Sequence, residues 1–201
     1  MVLPGNLKEL QLGSFDQELQ MGSLPQSLQI LHLDKFKQPL LPKLLPDRLQ
    51  TLLMLRFNQT LEPHTLPKSL TSLQLFAYKG SFDHVCPLNR LTELTVYSFK
   101  QSIVPVISNA KILKLSFYNL FPNTTLQNTS IQQLYLNCIV GSQTLYPGFL
   151  PPTLRKLKTK KLIINSPDIV PDSCIYLSTD IQNLRQDIIP SSVKYIKFKK
   201  K

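Results

Sequence analysis

A repeat of 21 residues constrains the fold of this chain more than any other feature of its sequence. Four consecutive segments begin with Leu-Pro, at Leu3, Leu24, Leu45 and Leu66, at intervals of 21 residues. If the first Leu of each unit is repeat position 0, apolar residues recur at positions 4, 7 and 9, and an aromatic residue recurs at position 12. Weaker copies follow at spacings of 19 to 23 residues, so that about ten units fill residues 1–201.

The residues around repeat position 8 predict one short β-strand in each unit. Apolar residues alternate there, at positions 7 and 9, and a period of two is typical of a strand with one buried face. The Leu-Pro pair predicts a turn, because proline has no amide hydrogen and restricts the residue before it. The rest of each unit is too short for a full helix, which leaves extended or 3₁₀ segments for the return path.

A single unit of this kind cannot bury its own Leu and Phe side chains. Stacked units can, because each unit covers the apolar face of its neighbour. The sequence therefore predicts a solenoid with a parallel sheet, one strand per unit, on its concave side and a stack of aromatic rings at position 12. We expect a single domain over residues 1–201, with regular repeats in residues 3–86 and degenerate repeats in residues 87–201.

Three units carry a more specific signature after the strand. It reads FDQEL from Phe15, FKQPL from Phe36 and FNQTL from Phe57, each followed by the Leu-Pro of the next unit. These segments resemble the FNIP repeat, whose unit has the form LPxSLxxLxLgxxFNQPL and is classed with leucine-rich repeats. The resemblance implies a leucine-rich-repeat-like solenoid that acts as a protein-interaction scaffold.

Some members of the FNIP family carry an F-box before the repeats, which implies recruitment of substrates to a ubiquitin ligase. The first unit of this chain begins at Leu3. We therefore expect no F-box here, and a chain that is either a stand-alone solenoid or a shortened relative. A more specific version of the scaffold hypothesis is that the chain acts as a substrate-recruiting adaptor.

An apolar strip is predicted on the concave face, to which strand residues at positions 6, 8 and 10 point. Position 10 is aromatic in three successive units, from Phe76 to Tyr118, and the repeat frame places Tyr135 beside this column. Aromatic residues in a row on a solvent-facing surface are typical of protein-binding hot spots. Cross-strand packing that only stabilises the sheet would give the same row. The candidate partner-binding residues are Leu53, Leu55, Phe76, Tyr97, Tyr118 and Tyr135.

The positive charge of the chain is concentrated near its C-terminus. The formal net charge is +11, and residues 154–201 contribute +7 of it, from 11 Lys or Arg and 4 Asp or Glu. Such a surface attracts nucleic acid or another polyanion, which is the alternative function, although excess charge also serves solubility. The candidate polyanion-binding residues are Lys156, Lys158, Lys160, Lys197 and Lys199.

No catalytic or metal-binding pattern is present in the sequence. His32, His64 and His84 fall at unrelated repeat positions, and no HExxH or phosphate-binding glycine motif occurs among only 6 glycines. The three cysteines are far apart and odd in number, which gives no disulfide framework, and Cys174 falls at a core position. We therefore predict a protein that is not an enzyme and has no catalytic residues, cofactor or metal.

The N-terminal sequence MVLPGNLKELQL has neither the basic flank nor the continuous apolar run of a signal peptide. No stretch of the chain approaches 18 consecutive apolar residues, so no membrane span is predicted. From the sequence we expect a cytoplasmic or nuclear monomer that binds a protein partner whose identity is unknown.

Overall fold

The computed structural model describes residues 3–121, 123–180 and 184–198, and short parallel strands dominate it. Within these ranges the strands are β1 (Glu9–Leu12), β2 (Ile30–Leu33), β3 (Thr51–Met54), β4 (Ser72–Leu75), β5 (Glu93–Phe99), β6 (Ile112–Leu120), β7 (Gln133–Cys138), β8 (Gln143–Thr144), β9 (Lys156–Lys160), β10 (Leu162–Ile163), β11 (Tyr176–Thr179) and β12 (Tyr195–Phe198). Ten of them form one sheet in the order β1-β2-β3-β4-β5-β6-β7-β9-β11-β12. β8 and β10 form a small second sheet.

The predicted solenoid with one strand per unit is confirmed. All neighbouring strands of the main sheet are parallel, and those from β1 to β6 pair in the register of the repeat. The leucines of position 7 therefore form a continuous row, in which Leu52 lies opposite Leu31 and Leu73. These three side chains have no exposed surface, because the units on both sides cover them. Such a core explains why each unit is stable only within the stack.

One step of the sheet differs from the register that the repeat predicts. The repeat frame aligned Leu115 with Leu134, whereas the structure pairs Leu115 with Leu136, and Leu113 with Leu134. A shift of two residues leaves every side chain on its predicted face, because side chains alternate with a period of two. The hydrophobic pattern therefore cannot distinguish the two registers. The nine residues of β6 accommodate the shift, because β6 pairs with β5 in the repeat register and with β7 in a register that is two residues different.

The predicted stack of aromatic rings is confirmed in the first four units. Phe15, Phe36, Phe57 and Tyr78 follow one another with centroid distances of 6.2, 6.5 and 6.1 Å and interplanar angles of 2°, 11° and 19°. The Tyr78 hydroxyl donates a hydrogen bond of 2.6 Å to the carbonyl oxygen of Ser81. Burial raises the pKa of Tyr78 to about 12, so the ring stays neutral inside the core.

The residues that follow each aromatic ring connect consecutive units by hydrogen bonds. Asp16 Oδ1 accepts a bond of 2.7 Å from the backbone N–H of Lys37, and Asn58 Oδ1 accepts one of 2.7 Å from the N–H of Lys79. Gln59 Nε2 donates a bond of 2.9 Å to the carbonyl oxygen of Lys37. The Phe-Asn-Gln segment is thus an inter-unit ladder, which explains why Asn or Asp and Gln recur there.

The Leu-Pro turn, with a serine after it in the second and fourth units, fixes the entry to the strand. The N–H of Leu28 donates a bond of 3.0 Å to the carbonyl oxygen of Pro25 and closes the turn. The hydroxyl of Ser27 donates a bond of 2.6 Å to the carbonyl oxygen of Leu7 in the preceding unit. Ser69 makes the equivalent bond two units later. The turn therefore joins neighbouring units as well as reversing the chain.

The return side contains the predicted 3₁₀ and extended segments. The 3₁₀ helices are Gln101–Ile103, Pro105–Ile107 and Gln186–Ile188. One apolar core extends from Leu19 to Ile188, but the last strand is poorly covered, with Phe198 48 % exposed. In the described ranges, no helix is long and apolar enough to cross a membrane.

Candidate functional site

The outward side of the main sheet carries three rows of side chains, from repeat positions 6, 8 and 10. One row continues from the ends of β3 and β4 and contains Leu55, Phe76, Tyr97 and Tyr118. Leu55 is 38 % exposed, and the three aromatic side chains are half-buried. The predicted aromatic column therefore exists and is open to solvent. We refer to these four residues as the aromatic column.

The two tyrosines of the aromatic column contact each other directly. The rings of Tyr97 and Tyr118 are stacked at a centroid distance of 5.2 Å and an interplanar angle of 25°. The pairing of β5 with β6 sets this contact, because it places Val96 opposite Phe117 and Ser98 opposite Asn119. Part of the column thus stabilises the sheet by cross-strand stacking, while the exposed parts of the rings are available for a partner.

An open groove of about 560 Å³ runs along the aromatic column. Three cationic side chains that the sequence analysis did not select lie in its wall together with the column. They come from repeat positions 11 and 13, just beyond the strand ends, and not from positions 6, 8 and 10, whose side chains were predicted to point outward. Reading positions 11 to 13 of the first four units would have found them. The groove is lined by Lys37, Leu55, Arg56, Asn58, Phe76, Ala77, Lys79, Tyr97 and Tyr118.

The backbone that carries two of these cations is held by the inter-unit ladder. Asp16 and Asn58 accept hydrogen bonds from the N–H groups of Lys37 and Lys79, as described above. Lys100 Nζ donates a further bond of 2.7 Å to the carbonyl oxygen of Lys79. Lys79 Nζ lies 4.9 Å from the centroid of the Tyr97 ring, within the range of a cation–π interaction. The backbone of Lys37 and Lys79 is therefore held in place beside the aromatic column, and the ammonium group of Lys79 contacts Tyr97.

Two of the six predicted partner-binding residues lie away from this groove. Leu53 lies one row from the column, where it pairs with His32 and Gln74. The placement of Tyr135 beside the column is wrong, because Tyr135 pairs with Lys114 and Lys158. The two-residue shift between β6 and β7 moves Tyr135 two rows away from Tyr118. The structure thus brings together four of the six predicted residues.

The lysines predicted for polyanion binding share a second part of the same face. Lys156 and Lys158 are half-buried, and their Nζ atoms lie 5.2 Å from the Tyr176 centroid and 4.3 Å from the Tyr135 centroid. Lys158 also donates a hydrogen bond to the Tyr135 hydroxyl. Lys160 and Lys197 are exposed. Lys199 lies outside the described residues.

Ser178 lies between two of these lysines, since it pairs with Lys158 on β9 and with Lys197 on β12. It is only 1 % exposed, and its hydroxyl has no hydrogen-bond partner within the described structure. The basic part of the face is therefore built from lysine and tyrosine side chains around a buried hydroxyl group.

The cysteines show no reactive arrangement among the described residues. Cys174 is fully buried, as the repeat predicts, and burial raises the pKa of its thiol to about 11. Burial also raises the pKa of the Cys138 thiol. Cys86 Sγ lies 4.0 Å from His64 Nδ1 at the surface. Within the described ranges, no group of three or more His, Cys, Asp or Glu side chains is placed to hold a metal ion.

The fold and this face define a repeat protein of the leucine-rich-repeat type. Among solved structures, the crystal structure of CroV588, described as a novel circular LRR protein structure, matches with a TM-score of 0.65 and 23 % sequence identity. The match covers 99 % of this chain and 35 % of that chain, so this chain spans about a third of its length. At this identity the likeness shows the fold alone.

The first repeats of the chain also match a family model. The model of the FNIP Repeat family matches residues 1–35 and 15–54. Residues 1–54 therefore match FNIP repeats, and the later units of the solenoid keep the strand in each repeat. The matched region is shorter than the residues 3–86 in which the sequence analysis placed the regular repeats. No curated protein sequence matches the chain.

Proposed function

We propose that this solenoid is a non-enzymatic scaffold that binds a protein partner on the outward face of its sheet. Repeat solenoids of this type generally present an extended surface for protein interaction. The observation that carries the proposal is the groove along Leu55, Phe76, Tyr97 and Tyr118. Rigid aromatic side chains in a groove provide much contact area at a low cost in conformational entropy, which is the usual composition of a binding hot spot.

The role of a substrate-recruiting adaptor is the finer form of this proposal. It rests on the FNIP repeats of residues 1–54, since it is the function that the family resemblance implies. In this role the groove would hold the substrate, while another protein or segment would connect it to the ligase. Identification of ubiquitin-ligase subunits among the bound proteins would support the adaptor role specifically.

A pull-down from native lysate tests the scaffold. The variant Phe76→Ala/Tyr97→Ala/Tyr118→Ala removes three members of the aromatic column. As a matched control, Met21→Ala/Leu41→Ala/Val140→Ala removes exposed apolar side chains, 60 %, 52 % and 62 % exposed, from outside the groove lining. We expect a protein that wild type and the control retain at high salt and that the column variant loses. Equal retention by all three proteins would contradict the proposed site.

Polyanion binding is the second candidate function. It is supported by the exposed Lys160 and by the exposed Lys197, which lies beside the buried Ser178 hydroxyl. Binding to phosphate groups releases counterions and falls steeply with salt. The same pull-down with nuclease controls therefore separates the two functions. Nucleic acid that is retained equally by the wild type and the column variant, and lost at high salt, would favour the lysines as the site.

A further inference from the structure

We propose that the groove recognises an acidic linear segment of the partner, in which Asp or Glu residues alternate with bulky apolar residues. This inference rests on the proposed function and specifies the chemistry of the partner at the same site. It assigns Lys37, Arg56 and Lys79 as the residues that select the partner by charge. We refer to these three residues as the cationic rim.

Within the described ranges, none of the three rim side chains forms an ion pair. In the part of the chain that the structure describes, the one ion pair joins Arg185 to Asp187, far along the sequence from the groove. No Asp or Glu is among the residues that line the groove. The carboxylate of Asp16 accepts hydrogen bonds from the backbone N–H of Lys37 and from Gln38 Nε2.

The cationic rim and the aromatic column line the same groove, one with charged and the other with apolar side chains. All three rim side chains are exposed. The three aromatic side chains of the column are half-buried, and Leu55 is exposed. The column crosses four adjacent strand positions, from Leu55 to Tyr118, which at about 4.8 Å per strand is roughly 14 Å. An extended segment of about four to five residues covers this length. Because side chains of an extended segment alternate in direction, its acidic residues can face the rim while its apolar residues face the column.

The contacts of the tyrosines favour a peptide over single-stranded nucleic acid as the occupant. Proteins that bind nucleic-acid bases by stacking need free ring faces. Here the Tyr97 and Tyr118 rings already stack on each other at 5.2 Å, and Lys79 Nζ lies 4.9 Å from the Tyr97 centroid. These contacts cover ring faces that a stacked base would need, while the ring edges and hydroxyl groups remain for apolar side chains and for hydrogen bonds.

A rigid rim should also improve selection by charge. The backbone of Lys37 is held by Asp16 and Gln59, and that of Lys79 by Asn58 and Lys100. Groups whose backbone is already ordered lose less conformational entropy when they bind. The inter-unit ladder therefore has a second consequence, which is to order the backbone of Lys37 and Lys79 before the partner arrives.

Selection from a displayed library of random eight-residue peptides tests the inference without a known partner. The target is the wild-type chain, and the selected peptides are then measured against three variants. These are the column variant Phe76→Ala/Tyr97→Ala/Tyr118→Ala, the rim variant Lys37→Glu/Arg56→Glu/Lys79→Glu, and the control Lys156→Glu/Lys160→Glu/Lys197→Glu, which changes the net charge by the same amount as the rim variant. The substituted rim side chains are exposed, so we expect the rim variant to fold. Circular dichroism verifies the fold of every variant, including the control, in which Lys156 is half-buried.

We expect the wild type to enrich acidic peptides with apolar residues at alternate positions, and the control to bind them as the wild type does. The selected peptides should bind the rim variant about tenfold or more weakly, since three charged contacts become repulsive. A fluorescein-labelled oligouridylate serves as the nucleic-acid probe. The inference would be overturned by peptides that are neutral or basic, by equal weakening in both charge variants, by the absence of any enriched peptide, or by rim-dependent binding of the oligouridylate alone.

The outcomes also separate this inference from the proposed function. If the selected peptides depend on Phe76, Tyr97 and Tyr118 but not on the rim, the scaffold proposal stands and the acidic specificity fails. If the peptides depend on neither, both fail.

Discussion

Individual leucines at repeat positions 7 and 9 carry most of the information that specifies this fold. Their spacing along the sequence predicts the strands, and the structure places them in rows with almost no exposed surface, as at Leu73 and Leu94. The reason is that a buried leucine contacts side chains of its own unit and of both neighbours. At this scale the sequence is nearly sufficient to predict which residues are buried, because a buried position and an outward position require different residue types.

The substitution Leu94→Ala tests the burial of this row. Leu94 is 1 % exposed and lies between Leu73 and Leu115, so its truncation leaves a cavity inside the stack. We expect a loss of about 2–5 kcal/mol in the free energy of unfolding. Urea titration followed by circular dichroism measures it. A loss below about 0.5 kcal/mol, which is typical of surface substitutions, would show that the residue is not in the core.

The residues with a functional proposal are harder to recognise at the residue scale. Tyr97 looks the same in the sequence whether it binds a partner or only stacks on Tyr118, and the structure shows the stacking contact. Lys37 and Lys79 resemble any solvated lysine until the groove places them beside Phe76. Charge and apolar character at one position do not define a site, because a site depends on which side chains converge.

At the scale of the repeated element, the Phe-Asn-Gln segment acts as a connector between units. The ring stacks on the ring of the next unit, and the Asn or Asp side chain accepts the next unit's backbone N–H. The later units illustrate the consequence of losing this segment. There Phe99 packs edge-on against Phe149 at 5.9 Å, and Gln143 of the side sheet bonds to the backbone of Leu120. Other contacts thus replace the ladder where the sequence signature is absent.

The substitution Asn58→Ala tests the ladder. It removes the acceptor of the Lys79 N–H, which is bonded at 2.7 Å. Because that N–H is at an exposed position and can bind water, we expect a loss of about 1 kcal/mol in the free energy of unfolding. Thr60→Ala is the control, since Thr60 is exposed in the same segment. Equal effects of the two substitutions in urea titrations would argue against the ladder.

At the scale of the whole molecule, the stack is uneven from one end to the other. The strands in the middle are the longest, with seven residues in β5 and nine in β6, and units on both sides cover them. All four residues of β12 are exposed, including Ile196 at 42 %. In a solenoid, stability is the sum of the units and of their interfaces, so a unit with one neighbour is less stable than a unit with two.

Hydrogen exchange measured by mass spectrometry tests this gradient. We expect amides of β5 and β6 to be protected the longest, and amides of β12 to exchange fastest among the strands of the main sheet. The exchange is measured under conditions in which the chain remains folded, so that it reports the local opening of each strand. Uniform protection of all ten strands would mean that the solenoid opens as one cooperative unit, contrary to this expectation.

The sequence by itself determined the solenoid, its strands and turns, the buried leucines, the aromatic stack and the aromatic column. These features depend on local spacing and on residue type, which the chain carries in every unit.

Only the tertiary structure decided the shift of two residues between β6 and β7, because a period of two is the same in both registers. That shift separates Tyr135 from the aromatic column. The convergence of Lys37, Arg56 and Lys79 on the groove was likewise decided by the stacking of units, since these residues are 19 to 42 positions apart in the sequence and meet only when their units are neighbours.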